Sequence, residues 1–219
     1  MPYQKQFERA VVLERAMHLF WERGYEATSM QDLVDGMGIN RGSIYATFQD
    51  KHTLFLEVLE HYESTRRGSM LEQMEMQSGA RDVLARLLRA FVEPACKDGP
   101  TRGCFITNTA IELAARDGAV RERVVRAQEE MEAFILRQIR RGRAQGTLRS
   151  EGDPVVVARA FLATLLGLLV LVRSRPEPGL LRSVGRSALD AAGWVGPLEW
   201  GLPGAPEVTS LGQVRADRT

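Results

Sequence analysis

Apolar positions recur along this chain with helical spacing from near its start to about residue 192. Val12, Ala16, Leu19 and Phe20 share one face of a segment running from about Phe7 to Arg23, and Gly24 stands where that helix would end. Met30, Leu33, Val34 and Met37 mark a second, short helix, opened by Thr28 with Gln31 at capping-box spacing and stopped by Gly38. Asn40 can cap a third, in which Ile44 and Phe48 lie four apart and point the same way. Asp50 can cap a fourth, with Leu54, Phe55, Val58, Leu59 and Tyr62 as its apolar stripe, continuing towards Met76.

The same spacing persists beyond Ala80. Val83, Leu84, Leu87, Leu88, Phe91 and Val92 form a segment expected to stop near Pro94, and Arg102 to Arg116 reads as the next helix. A long polar helix follows from Val120 to about Gln145, with Val124, Ala127, Met131, Ile135 and Ile139 inward. Asp153-Pro154, a cap followed by proline at the first helical position, opens an apolar helix to Val172, and Pro176 and Pro178 separate it from a last helix over Leu180 to Ala192. Met70, Met74 and Met76 read as core filling. No strand alternation and no internal repeat interrupts this pattern, so the fold class is all-α. From Gly193 to Thr219 the glycines and prolines cannot sustain a helix. That tail reads as mostly disordered, with docking through Trp194 and Trp200 as the alternative.

Composition narrows the classes. In 219 residues, 44% hydrophobic content supports an ordinary core. The N-terminus turns polar at once, which argues against a signal peptide, and the most apolar run, Ala160 to Val172, is short for a bilayer span. Cys96 and Cys104 lie far in sequence from His18, His52 and His61, without zinc spacing, so no metal and no cofactor is expected. No paired catalytic carboxylates, Gly-rich phosphate loop or Ser–His–Asp set stands out, so the chain does not read as an enzyme. Residues 1–67 hold eight Lys and Arg against ten Asp and Glu, a local net of −2. DNA-binding domains are usually basic. A helical interaction protein that no longer reads DNA therefore stays open as an alternative.

Placement speaks for DNA despite that charge. Two short helices separated by a tight turn leave Arg41, Gly42, Ser43, Tyr45, Ala46 and Thr47 facing outward, the layout of a helix-turn-helix whose second helix enters a major groove. Phe20, Gly24, Tyr25, Thr28, Ser29, Met30, Gly38, Gly42, Tyr45, Phe48, Lys51 and Leu54 together resemble the DNA-binding signature of the TetR family of bacterial transcriptional regulators. Phosphates are expected at the N-termini of the second and fourth helices, where Thr28, Ser29 and Lys51 stand. Arg41 is placed for a guanine edge or a phosphate, Gly42 for close backbone approach, and Ser43 and Thr47 for base contacts. The resemblance implies a phosphate contact for Tyr45, against the alternative of packing on the first helix.

The resemblance also implies an organisation: a helix-turn-helix domain over 1–52, a helical effector-binding and dimerisation domain over 53–192, and the tail over 193–219. It implies a cytoplasmic regulator, most simply a repressor, that binds a palindromic double-stranded operator as a homodimer through its last two helices and has no membrane partner. A small-molecule or electrophile effector would release it. Candidate effector residues are Cys104, Phe105, Asn108 and Glu112; Asn108 and Glu112 lie one turn apart and either hold a polar group or face solvent. Cys104 follows Gly103 beside Arg102 at a probable helix start, a setting that activates a thiol. The segment around it resembles the electrophile- and hypochlorite-responsive NemR subgroup, in which Cys104 would fall on the reactive cysteine. The other reading of Cys104 is a small residue filling the core.

Overall fold

The computed structural model describes residues 8–149 and 151–194. Among them run α1 (Arg9–Arg23), α2 (Met30–Met37), α3 (Arg41–Phe48), α4 (Lys51–Tyr62), α5 (Ser69–Gln77), α6 (Ala80–Asp98), α7 (Phe105–Glu112), α8 (Gly118–Ala144), α9 (Pro154–Ser174) and α10 (Pro178–Ala191). The all-α expectation holds: the one β-type pairing among the described residues is an isolated antiparallel bridge between Leu148 and Trp194. The chain forms two compact units, Met1–Ser69 with Asn108–Val124, and Met70–Thr107 with Val125–Thr219. This division differs from the one expected at residue 52. The first unit keeps α4 because Leu54, Phe55, Val58, Leu59 and Tyr62 are all buried, and α4 packs on α1.

In the first unit, α1 packs on α2 and α4, and α3 packs on α2 and α4. Val12, Ala16, Met17, Phe20 and Trp21 from α1 meet Leu33 and Met37 from α2 and Ile44 and Phe48 from α3 in one core. Full burial of such side chains contributes roughly 1.5–3 kcal/mol each, enough to hold two eight-residue helices that would not persist alone. Rings fix the geometry further: Phe55 stands edge-on to Phe20 at 5.0 Å, and Trp21 edge-on to Tyr62 at 5.2 Å. The continuation of α4 towards Met76 is real but not uniform. A π-helical turn, Glu63–Gly68, lies between α4 and α5, with Arg67 buried and paired with Glu63.

The second unit packs α9 against α6 and α10, and α6 against α10. Val83, Leu84, Leu87, Leu88 and Val92 face Phe161, Leu165, Leu168, Leu169 and Val172 across this core. The α6 helix does not stop near Pro94 but continues to Asp98. Proline removes one backbone bond at a cost of about 3 kcal/mol in a helix interior, and the burial of Ala95 on the far side of it offsets part of that loss. The apolar helix opens at Pro154 behind the Asp153 cap, as expected, and runs two residues past Val172 to Ser174. At 21 residues, α9 is the one described helix long and apolar enough to cross a membrane. One face of it is buried against α6 and α10, and another, with Val156, Ala160, Ala163 and Val170, stays exposed.

Two smaller expectations are corrected. Met70 and Met74 are buried, but Met76 is 84% exposed, because α5 turns that face outward. Trp194, at the head of the expected disordered tail, is docked within the second unit: it is buried, its amide donates to Leu189, Arg149 donates to Gly193, and the Arg81 guanidinium lies 4.6 Å from its ring. Trp200 and the rest of the tail lie outside the described residues.

Candidate nucleic-acid interface

The turn between α2 and α3 is built from local chemistry. Gly38 adopts φ 69, ψ 28, the left-handed conformation that ends α2 while its amide donates to Val34. Asn40 then accepts the Ser43 amide at 2.8 Å and starts α3. Ile44 and Phe48 plug α3 into the core, and this rotation leaves Arg41, Gly42, Tyr45 and Ala46 exposed with Ser43 and Thr47 half-exposed. The outward face therefore carries the residues expected of it. Tyr45, 42% exposed, does not pack on α1; its hydroxyl lies 3.5 Å from Arg41 Nη2, and the guanidinium sits 5.7 Å from the ring centre. The pair presents one cation and one phenol from adjacent turns of the same helix.

The start of α2 differs from expectation. Thr28 is fully buried, and its hydroxyl donates to the Gly24 carbonyl at 2.6 Å, so it is a structural residue and not a phosphate contact. Ser29 is the cap. Its hydroxyl accepts the Asp32 amide while the Asp32 carboxylate accepts the Ser29 amide, a capping box one residue later than the Thr28/Gln31 pair. Ser29 remains exposed. Hydrogen bonds from the Ser29 hydroxyl and amide, with Arg23 beside them, hold the Asp32 carboxyl below its ordinary value. At α4, Asp50 accepts the Thr53 amide at 2.7 Å, and that bond, together with one from the Thr53 hydroxyl, lowers its carboxyl in the same way. Both expected phosphate-binding helix ends thus already carry an acidic side chain, Asp32 in the capping box of α2 and the Asp50 cap of α4. These two aspartates belong to the −2 balance of the segment.

Lys51 projects from the first turn of α4, and its ammonium lies 4.2 Å from the centre of the Tyr25 ring. Burial lowers its pKa, against the attraction of Glu26, Glu112 and Asp32. Tyr25 itself is wedged 4.8 Å from Phe55 and stacked 6.0 Å from Phe20, and burial, followed by Glu26, Asp50 and Asp117, raises its phenol.

Three of the four candidate effector residues lie on α7 and Cys104 directly precedes it. Cys104 and Phe105 belong to the second unit, where both are buried, and Asn108 and Glu112 belong to the first. Glu112 does not simply face solvent: its carboxylate accepts the Tyr25 amide at 3.1 Å and the Glu26 amide at 2.8 Å. The spacing of Asn108 and Glu112 held no sign of this, because the partner lies 86 residues away. Cys96 and Cys104 are thiols not joined by a disulfide. Burial raises the Cys96 thiol, against the charge and hydrogen bond of Arg182. Among the described residues, no cluster of three ligating side chains is arranged to hold a metal ion.

Comparison with known proteins agrees with this geometry. Residues 12–58 match the model described as bacterial regulatory proteins, tetR family, and residues 80–187 match the tetracyclin repressor-like C-terminal domain. The chain is 30% identical to the HTH-type transcriptional repressor ComR of Escherichia coli (strain K12), over 77% of this chain and 81% of ComR. It is 29% identical to the uncharacterized HTH-type transcriptional regulator YezE of Bacillus subtilis (strain 168), over 74% of this chain and 84% of YezE. Among solved structures it is similar to a cysteine mutant of the TetR family transcriptional regulator CifR complexed with 26-base-pair double-strand operator DNA. There the identity is 32%, the TM-score 0.74, and coverage 87% of this chain and 99% of that one. The reduced form of Escherichia coli NemR, at 18% identity and TM-score 0.74 over 82% of this chain and 94% of NemR, shares the fold.

Proposed function

This chain belongs to the TetR family of bacterial regulatory proteins, and from that premise we propose that it is a homodimeric repressor released from a palindromic operator by an effector. It is a DNA-binding transcriptional regulator, and the observation that carries the reading is the outward face of α3. Arg41 and Tyr45 stand one turn apart there, Ser43 and Thr47 flank them, and Gly42 brings the backbone close to the groove. Arg41 would read a guanine edge or grip a phosphate, Tyr45 and Ser29 would hold phosphates, and Lys51 would do so from the start of α4. As a DNA-binding regulator, it would act in the cytoplasm.

Support for the dimer comes from α9. Val156, Ala160, Ala163, Gly167 and Val170 line one exposed stripe of that helix, and among the described residues nothing beyond the helix's own backbone lies within 4 Å of the side chain that Gly167 lacks. Small and apolar residues suit close packing of the same face in a second copy, with half-sites about 34 Å apart on the DNA. The effector class proposed is a small molecule or an electrophile. Cys104, 8% exposed and next to Gly103 at φ 66 before α7, is the thiol an electrophile would modify.

The test is binding of the purified protein to duplex DNA flanking its own gene, followed by random-site selection, with and without a mild thiol oxidant. Arg41→Ala is expected to weaken specific binding about tenfold or more. Specific binding left intact by both Arg41→Ala and Lys51→Ala would reject this reading head, and no specific binding at all would favour the interaction-protein alternative. A Cys104→Ser protein that still leaves DNA normally on oxidation would remove the thiol from the switch.

A further inference from the structure

The loop between α1 and α2 is tied at the Gly24 carbonyl by the Thr28 hydroxyl, and it carries the ring on which Lys51 rests. Gly24 sits at φ 87, and the two amides after it, Tyr25 and Glu26, turn the same way and converge on the Glu112 carboxylate. Consecutive amides beside a positive-φ glycine make a small anion-binding concavity. A side chain at Gly24 would meet Glu112 Oε2 at 2.9 Å and Oε1 at 3.0 Å, so the missing Cβ is what lets the carboxylate in. The acid comes from the last residue of α7, in the segment Asn108–Val124 that belongs to the same compact unit as the helix-turn-helix. A second polar contact joins the same segment to α4: Asp117 meets His52 Nε2 at 2.6 Å.

We propose that Glu112 is a positioning residue for DNA binding, holding the Tyr25–Glu26 backbone so that the Tyr25 ring keeps the Lys51 ammonium aimed at an operator phosphate. The proposal rests on the reading head assigned above. Phe20 and Phe55 touch the Tyr25 ring and Thr28 bonds the Gly24 and Tyr25 carbonyls, while the Tyr25 and Glu26 amides are held by Glu112. Without the carboxylate, both amides turn to water, the loop gains freedom, and ordering Lys51 on a phosphate costs more. Glu112 is itself negative and close to Lys51. Simple electrostatics therefore predicts the opposite sign: removing an acid near DNA should strengthen binding. The sign of the effect decides between positioning and charge.

The experiment measures affinity for a labelled duplex, recovered by random-site selection on the wild-type protein, across a series of salt concentrations. The proteins compared are wild type, Arg41→Ala, Lys51→Ala, Glu112→Ala, Glu112→Gln and the Lys51→Ala/Glu112→Ala double variant. Each phosphate contact contributes about 0.9 to the slope of log affinity against log salt. Glu112→Ala is expected to bind about tenfold more weakly and to lose about 0.9 of slope per protomer, about 1.8 for the dimer, matching Lys51→Ala. The double variant is expected to bind no more weakly than Lys51→Ala alone, because both changes remove the same contact. Glu112→Gln, neutral but still able to accept one amide, is expected to fall between wild type and Glu112→Ala, and it keeps the test valid if the alanine variant folds poorly.

Unchanged or tighter binding by Glu112→Ala overturns the proposal, as does weaker binding with an unchanged slope, which marks only a smaller active fraction. Tighter binding by both the alanine and the glutamine variant also overturns it, because loss of the negative charge would then explain the effect. If Arg41→Ala and Lys51→Ala leave binding intact, the reading head falls and the clamp with it. If they weaken binding and Glu112→Ala does not, the clamp alone is rejected.

Discussion

The Asp50 amide donates to the Phe48 carbonyl at 2.8 Å, bridging a single residue, Gln49, held at φ 67 and ψ −56. This is a γ-turn of the strained, positive-φ kind, and Gln49 is the one described residue other than glycine with positive φ. It joins the reading helix α3 directly to the Asp50 cap of α4. Phe48 is buried on one side and Asp50 bonded to Thr53 on the other, so the chain has one residue in which to reverse. Gln49→Gly is expected to raise stability by about 1 kcal/mol, the released strain exceeding the extra entropy that glycine brings to the unfolded chain. Urea unfolding followed by circular dichroism checks this, and a loss of stability would show that the turn is not strained.

Thr28 separates packing from recognition. Its hydroxyl is buried and donates to Gly24. Thr28→Val preserves shape but leaves that carbonyl short of a partner, at a cost of about 1–2 kcal/mol. The folded variant should keep the wild-type slope of log affinity against log salt. A slope lowered by about 0.9 per protomer, about 1.8 for the dimer, would instead return Thr28 to the phosphate contacts.

Glu14 ties α1 to the far end of α4 and the π-helical turn through His61 and Arg66, with His18 beside it. Burial works to raise its carboxyl, but hydrogen bonds from Arg66 and His61 and the charges of Arg66 and His18 outweigh it, and the net shift is downward from the ordinary 4.5. The unfolded chain thus takes up this proton at higher pH than the folded one. The stabilisation is complete well above 4.5 and is lost as pH falls through the lowered folded value. Glu14→Gln should flatten this part of the acid limb: its unfolding free energy should drop less than wild type between pH 6 and about pH 3. Equal drops in the two proteins would mean that the Glu14 network does not contribute.

The stripe on α9 gives a test of assembly that spares the protomer. Because among the described residues nothing beyond the helix's own backbone lies within 4 Å of a Cβ at Gly167, Gly167→Arg should fold normally yet place a charge in the proposed dimer seam. Sedimentation should show a shift to monomer and operator binding should weaken sharply. A dimer that persists unchanged would place the seam elsewhere.

Helix placement and the identity of the reading face were legible in the sequence because both follow from local rules. Gly38 and Asn40 act on their own neighbours, and Ile44 and Phe48 fix which way α3 turns whatever packs against them. The apolar periods of α6, α9 and α10 likewise announced buried faces. Tertiary structure decided what local rules leave open. Thr28 and Ser29 are both plausible caps by spacing, and burial of Thr28 under the Gly24 carbonyl assigned the cap to Ser29. Pro94 is a helix stop by its own chemistry, and packing around Ala95 carried α6 past it. Glu112 is one of many acids on a helix until residues 86 and 87 positions earlier bring their amides to it. A carboxylate's role depends on which donors surround it, and donors distant in the chain become neighbours only through folding.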